Sequence, residues 1–420
     1  MSDALASRKW YLARQVAHWT AAALRLEDLD DFASPAAWKS LERYLRTSIR
    51  KHLSLACERL HREAALLRTA LDASSSPADL ERLRVQIQAF RKLYLRVETT
   101  LDFFCDAINT RTNPTLAGLL RACDTLAHRS MAQILDQLGK PTPVALTYVD
   151  KGLGASILKA GLRLWDGTSE NPVAAVKIVR HNLYRPTALI HETGHQVAHI
   201  AGWNVELAAA LQDGLGDAPA GVPDAWSSWA SEIAADAFAF VHTGYASIAG
   251  LHDVLAGEES FVLRHLLGAP HPIGYIRLLL GIQMCREFYG TGPWDDMAEA
   301  WTQHYRLERA SPETATLLRA SLPLLPKAVN LILREPVRAF GGRPLSALIN
   351  PARVSPEALE TMERTLGSAL YTSMHWIWTE ALRLLALNGL RAATMLDWAA
   401  ETLKQQEQWM LRLGGALQTS

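Results

Sequence analysis

Ala188-Leu189-Ile190-His191-Glu192-Thr193-Gly194-His195-Gln196-Val197-Ala198-His199 is the stretch on which the reading of this chain turns. It holds the pattern HExxH. Read as a helix, it places His191 and His195 four residues apart, about 6 Å along the axis and on nearly one face. Both imidazoles can then reach one Zn²⁺, while Glu192 stands to the side, where it can take a proton from a water held there. In a chain with 14 histidines the pattern alone is suggestive, so its surroundings decide.

The third ligand is the first test. The position six residues after His195 is Ala201, not the histidine a metzincin requires. His199 shares the face of His191 and His195 but lies about 12 Å along the axis from His191, too far to join the same ion. It reads as a packing or outer-layer histidine. Trp229-Ala230-Ser231-Glu232-Ile233-Ala234-Ala235-Asp236-Ala237-Phe238 offers a better partner. On a helix, Glu232 and Asp236 share a face. Glu232 would complete a His₂Glu set, and Asp236 would accept the spare ring N–H of one histidine and fix its tautomer. The alanines around them would let this helix approach the first closely. A solvent-facing Glu/Asp pair is the alternative; the preceding HExxH favours ligation.

His191-Glu192-Thr193-Gly194-His195 followed by Glu232-Ile233-Ala234-Ala235-Asp236 resembles the gluzincin zinc metallopeptidases, HExxH followed by ExxxD. His271-Pro272-Ile273-Gly274-Tyr275-Ile276-Arg277 resembles the HPxxxxR element of the Ste24/HtpX-like (M48) peptidases. That resemblance implies that His271 stabilises the oxyanion of the reaction and that Arg277 supports it. A helix-entry His-Pro and an ordinary arginine remain the alternative. The likeness covers about 175–290 in three motifs. It also implies a strand lining the substrate cleft just before the metal helix, and Ala175 to Val179 is placed to be that strand, able to pair with an extended peptide.

Working outward, Val144 to Val149 and Val173 to Val179 are short β-favouring runs, with a turn signal at Trp165-Asp166-Gly167-Thr168. Upstream, Ile49, Leu53, Ala56, Leu60, Ala64, Leu67 and Leu71 recur at helical spacing. Ser76 then reads as a helix N-cap with Pro77 at the first helical position. A second stripe follows from Leu83 through Leu101, so these helices should form a hairpin. Asn113-Pro114 opens a further helix ending near Gly139, and Ser311-Pro312-Glu313 and Ser355-Pro356-Glu357 read as later helix starts. The expected organisation is a helical bundle at 1–140, a zincin-like metallopeptidase core with a small sheet at 141–310, and a C-terminal helical region at 311–420. The fold class is mainly α.

Composition excludes several classes. With 43 Lys+Arg against 43 Asp+Glu there is no overall pull toward nucleic acid or anionic membrane. Cys57, Cys105, Cys123 and Cys285 form no CxxC pair, which argues against a disulfide framework or a cysteine zinc site. Arg8, Lys9 and Arg14 interrupt any leader-like apolar run, and the best apolar stretch, near Trp376, is broken by Glu380, Arg383 and Arg391. No membrane span and a cytoplasmic location are therefore expected. Tyr184, Tyr245, Tyr275, Tyr289 and His242 read as structural.

The expected activity is zinc-dependent hydrolysis of a peptide or protein substrate. His191, His195 and Glu232 would hold Zn²⁺, and Glu192 would act as base and then acid. Two other readings stay open. One is a scaffold, binding a protein partner through the N-terminal helices, with a zinc site kept for folding. The other is a protease regulated by a partner.

Overall fold

The computed structural model describes residues 3–152, 155–160, 171 and 173–415. It is 76% helical with one three-stranded sheet, a mainly α fold. Chain contacts gather it into two compact units, 1–112 with 160–173, and 113–159 with 174–420. The turn expected at Trp165 to Thr168 lies outside the described residues.

In the first unit, α1 (Asp3–Arg25), α2 (Pro35–Leu45), α3 (Ile49–Ala73) and α4 (Pro77–Asn109) pack together, with α1 lying on both α3 and α4. The stripe read from the sequence is the buried one: Leu53, Leu60 and Ala64 on α3, and Leu83, Ile87 and Phe90 on α4. Ser76 caps α4 as expected, its hydroxyl accepting from the Asp79 amide (3.2 Å) while the Asp79 carboxylate accepts from the Ser76 amide (2.9 Å).

The second unit begins with α5 (Pro114–Leu135), capped by Asn113. The strands are β1 (Ala145–Val149), β2 (Ser156–Leu158) and β3 (Ala174–Ile178). β3 is central, parallel to β1 and antiparallel to β2. The strand expected at Ala175 to Val179 is thus present but paired on both sides, which leaves it no free edge to pair with an extended peptide. β1 and β2 are the edges of the sheet, and the three residues of β2 are too few to show a period-2 signal in sequence. Asp124 of α5 fastens the sheet to the helix, its carboxylate accepting from both the amide (2.6 Å) and the hydroxyl (2.7 Å) of Thr147.

Next come α6 (Thr187–Ala201), α7 (Trp203–Gly214), α8 (Val222–Ser228), α9 (Ala230–Thr243), α10 (Tyr245–Leu255), α11 (Glu259–Val262) and α12 (Gly274–Tyr289). α6 and α9 make the most extensive helix pair of the unit. Glycine permits it: a Cβ on Gly194 would stand 2.9 Å from the Ala235 Cα and 3.0 Å from the Phe238 Cβ. Thr193 ties α6 to α5 through a buried hydroxyl pair with Ser130 (2.8 Å). Farther along, Ser311 and Ser355 cap helices at the expected places. The helices Ala381–Thr394 and Ala399–Gly415 return to pack on α10 and α5 respectively.

One segment departs from the hydropathy expectation. Within Pro312–Leu333 an 18-residue window reaches a mean hydropathy of 1.2, apolar enough to cross a membrane by length and composition, with 39% of that window buried. It is two helices, Pro312–Ser321 and Leu325–Leu333, joined by a 3₁₀ turn.

Candidate metal centre and active site

The close approach of α6 and α9 sets the site. From α6, His191 and His195 face the Glu232 carboxylate of α9: His191 Nε2 is 3.5 Å from Oε2, and His195 Nε2 is 3.3 Å from Oε1. One ligand atom from each of the three lies within 4.8 Å of the others. Donors held at about 2.0–2.2 Å from a tetrahedral Zn²⁺ stand roughly 3.3–3.6 Å apart; the two imidazole–carboxylate separations, each to a different Glu232 oxygen, fall in that interval, and the set as a whole, within 4.8 Å, would close slightly around an ion. Two imidazoles and a carboxylate also suit zinc by donor type. The residues present fit the ion.

The supporting atoms favour the same arrangement. His191 Nδ1 donates to Asp236 Oδ1 at 2.8 Å, which orients the ring with Nε2 toward Glu232. Ser231 Oγ stands 3.4 Å from His195 Nδ1. Arg277 enters from α12 and joins both carboxylates, Nη2 donating to Glu232 (3.0 Å) and Nε to Asp236 (2.7 Å). Arg277 therefore clamps the ligand and its support, rather than pairing with His271 as the resemblance implied. His271 Nε2 is 3.5 Å from Glu232 Oε1, and its side chain is 65% exposed. Sequence reading missed Ser231 and the true partners of Arg277; helical spacing from Glu232 could have flagged Ser231 as a neighbour.

Charge in this buried setting is strongly redistributed. Burial disfavours the His191 imidazolium, but Asp236, then Glu232 and Glu192, outweigh it and raise its pKa to about 10. Burial likewise opposes ionisation of Glu232, yet the two histidines and Arg277 hold its carboxyl well below the usual carboxylate range. Asp236 is lowered against the same penalty by Arg277 and His191. Glu192 goes the other way. Burial raises its pKa, and the attraction of His191 and His195 offsets only part of that. A carboxylate poised to hold a proton nearer neutrality is what a general base requires.

These groups border one cavity of about 420 Å³, whose lining includes His191, Glu192, Glu232, Asp236, His271 and Arg277. Lys159, just after β2, carries a pKa lowered by burial and raised in part by Glu192 and Glu232. His199 is exposed on α6 and outside the three-ligand group. His242 is buried on α9, with Nδ1 bonded to the Phe238 carbonyl at 2.8 Å. Tyr184, Tyr245, Tyr275 and Tyr289 do not line the cavity. The four cysteines are buried.

No protein-family model matches this chain, and no curated protein or solved structure does so either.

Proposed function

We propose that the chain is a zinc-dependent metallopeptidase of the gluzincin kind, resembling the Ste24/HtpX-like peptidases in its motifs. The observation that carries the reading is the His191–His195–Glu232 group, its ligand atoms within 4.8 Å of one another, bordering the same cavity as the buried Glu192. When bound, zinc supplies a Lewis acid for the scissile carbonyl and acidifies water enough for attack near neutral pH. Glu192 takes the proton as the water oxygen bonds to the carbonyl carbon. It delivers that proton to the amine nitrogen as the C–N bond breaks. His271 donates to the oxygen that gains charge, and Arg277 with Asp236 keeps Glu232 and His191 in place. Three protein ligands beside a cavity favour a catalytic over a closed structural site.

The test is metal content and hydrolysis together. Wild type and Glu192→Gln are expected to retain about one zinc per chain, and His195→Ala none. Glu192→Gln should lose about 10²–10⁴-fold in rate on a mixed peptide library. A zinc-free wild type, or a Glu192→Gln variant as fast as wild type, would defeat the proposal.

A further inference from the structure

A second cavity, sharing no lining residue with the first, lies where α5, the far end of α9, the loop from Ile349 to Val354 and the start of the helix Ala381–Thr394 meet. Its volume is about 30 Å³, room for about two waters. The lining is charged out of proportion to that size. Arg129, Arg353 and Arg383 border it, and among the described residues Glu380 is its sole carboxylate. Arg383 is fully engaged: Nε donates to the Arg353 carbonyl (2.9 Å), Nη1 to Glu380 (3.2 Å) and Nη2 to the Ala358 carbonyl (3.2 Å). Arg129 is not. Its guanidinium stands 5.0 Å from the Trp378 ring centre and reaches the Thr379 carbonyl at 3.4 Å. Burial of that guanidinium is a cost that Glu380 offsets only in part. Arg353 is exposed at the mouth. Among the described residues neither Arg129 nor Arg353 forms an ion pair.

The inner wall carries His242, 2% exposed. Its Nδ1 meets the Phe238 carbonyl at 2.8 Å. A carbonyl only accepts, so Nδ1 carries the ring proton. Burial keeps the ring neutral near pH 7, which makes Nε2 a bare acceptor. Nε2 has no hydrogen-bond partner, and the Ser130 carbonyl beside the ring is itself an acceptor that cannot serve it. One small space is therefore bordered by two guanidiniums without a carboxylate and by a buried nitrogen without a donor.

We propose that this cavity binds a small free oxyanion that keeps one proton, with phosphate as the type: Arg129 and Arg353 donate to its charged oxygens, and its hydroxyl donates to His242 Nε2. Sulfate, fully ionised near neutral pH, has no hydroxyl to offer that nitrogen. The inference does not rest on the metallopeptidase reading. Glu232 and His242 stand at opposite ends of α9, about 15 Å apart along its axis.

The experiment titrates the full chain calorimetrically at pH 7 with inorganic phosphate and with sulfate, at one ionic strength. Phosphate should bind at least about tenfold more tightly, because a site that pairs a buried acceptor with a ligand hydroxyl rejects the analogue lacking it. Arg129→Gln should weaken phosphate by about tenfold or more, and Arg353→Gln, at the exposed mouth, by about threefold. His242→Leu should abolish the preference by weakening phosphate alone. Should either buried variant fail to fold, Arg353→Gln and the sulfate comparison on wild type still report. Added zinc or a chelator should leave the phosphate affinity unchanged. A protein that binds neither anion, leaving the cavity to water, overturns the inference. Phosphate binding that a chelator abolishes, or that both arginine variants leave intact, overturns it as well. Sulfate bound as tightly as phosphate overturns the pairing with His242.

Discussion

The α3–α4 helices bury almost only apolar side chains, whereas the α6–α9 pair buries charged groups among its apolar ones. Between α3 and α4 the inside is Leu53, Leu60, Leu83, Ile87 and Phe90, and the charged pairs, such as Glu81 with Arg84, stay on the outside. Between α6 and α9 the closest approach is at Gly194, Ala235 and Phe238, and among apolar residues such as Ile190, Ile233 and Phe240 the pair also buries Glu192, His195, Glu232 and, from α12, Arg277. The first arrangement is what the hydrophobic effect selects by default. The second costs several kcal/mol for each ion removed from water, offset where Glu232 and Asp236 pair with Arg277 and the histidines. A helix pair meant only to hold a shape has no need of that expense, so the buried charge marks the site more firmly than the motif does.

The contrast can be broken experimentally. Arg277→Met would leave Glu232 and Asp236 buried without the cation they share, a loss expected to be about 3–5 kcal/mol of stability in the metal-free protein. Saturating zinc should restore much of it, because the ion replaces the missing positive charge. Leu60→Ala, in the apolar pair, is expected to cost about 2–5 kcal/mol by opening a cavity, and zinc should leave that loss unchanged. Denaturant unfolding with hydrogen exchange on α3 and α9, each with and without zinc, separates the two. Equal responses to zinc would remove the distinction.

The sequence made one kind of information legible and hid another. Local chemistry was readable: Ser76-Pro77, Asn113-Pro114, Ser311-Pro312 and Ser355-Pro356 each open a helix as expected, because a cap and a fixed φ act within one turn. The spacing of His191 with His195, and of Glu232 with Asp236, also placed each pair on one helical face. Long-range order was not readable. Nothing in Ala174–Ile178 says that it is a central strand, since strand order depends on where Ser156–Leu158 docks. Arg277 sits in the expected element, but only the crossing of α12 with α9 decides that it meets Glu232 and Asp236 instead of His271.

Acid provides a milder probe, because the charged site and a lone buried base respond differently. His242 lies at the far end of α9 from Glu232, with burial lowering its pKa to about 4 despite help from the Phe238 carbonyl. Its unfolded value is about 6.5. Between those values the unfolded chain binds the extra proton, so His242 contributes fully above about pH 6.5. That contribution drains away as the pH falls toward 4. The loss is expected to approach about 3 kcal/mol, and His242→Phe should flatten this part of the stability–pH curve. Unfolding midpoints from pH 7 to 4.5, wild type beside variant, give the comparison, and parallel curves would show that the acid sensitivity resides elsewhere.

The smallest effect belongs to the ordinary end of the molecule. Ser76 and Asp79 satisfy each other's amides at the start of α4, and Asp79 also accepts from the Ser75 amide at 3.1 Å. These bonds, led by the one with Ser76, hold the Asp79 carboxyl down at about 2. Ser76→Ala removes one acceptor from an exposed helix end where water can replace it, so the cost should be only about 0.5–2 kcal/mol. The loss should appear as faster hydrogen exchange over the first turn of α4, with zinc content and any hydrolysis unchanged. If Ser76→Ala instead altered metal binding, the first unit would be coupled to the site, and the division of labour between apolar scaffold and charged centre would have to be redrawn.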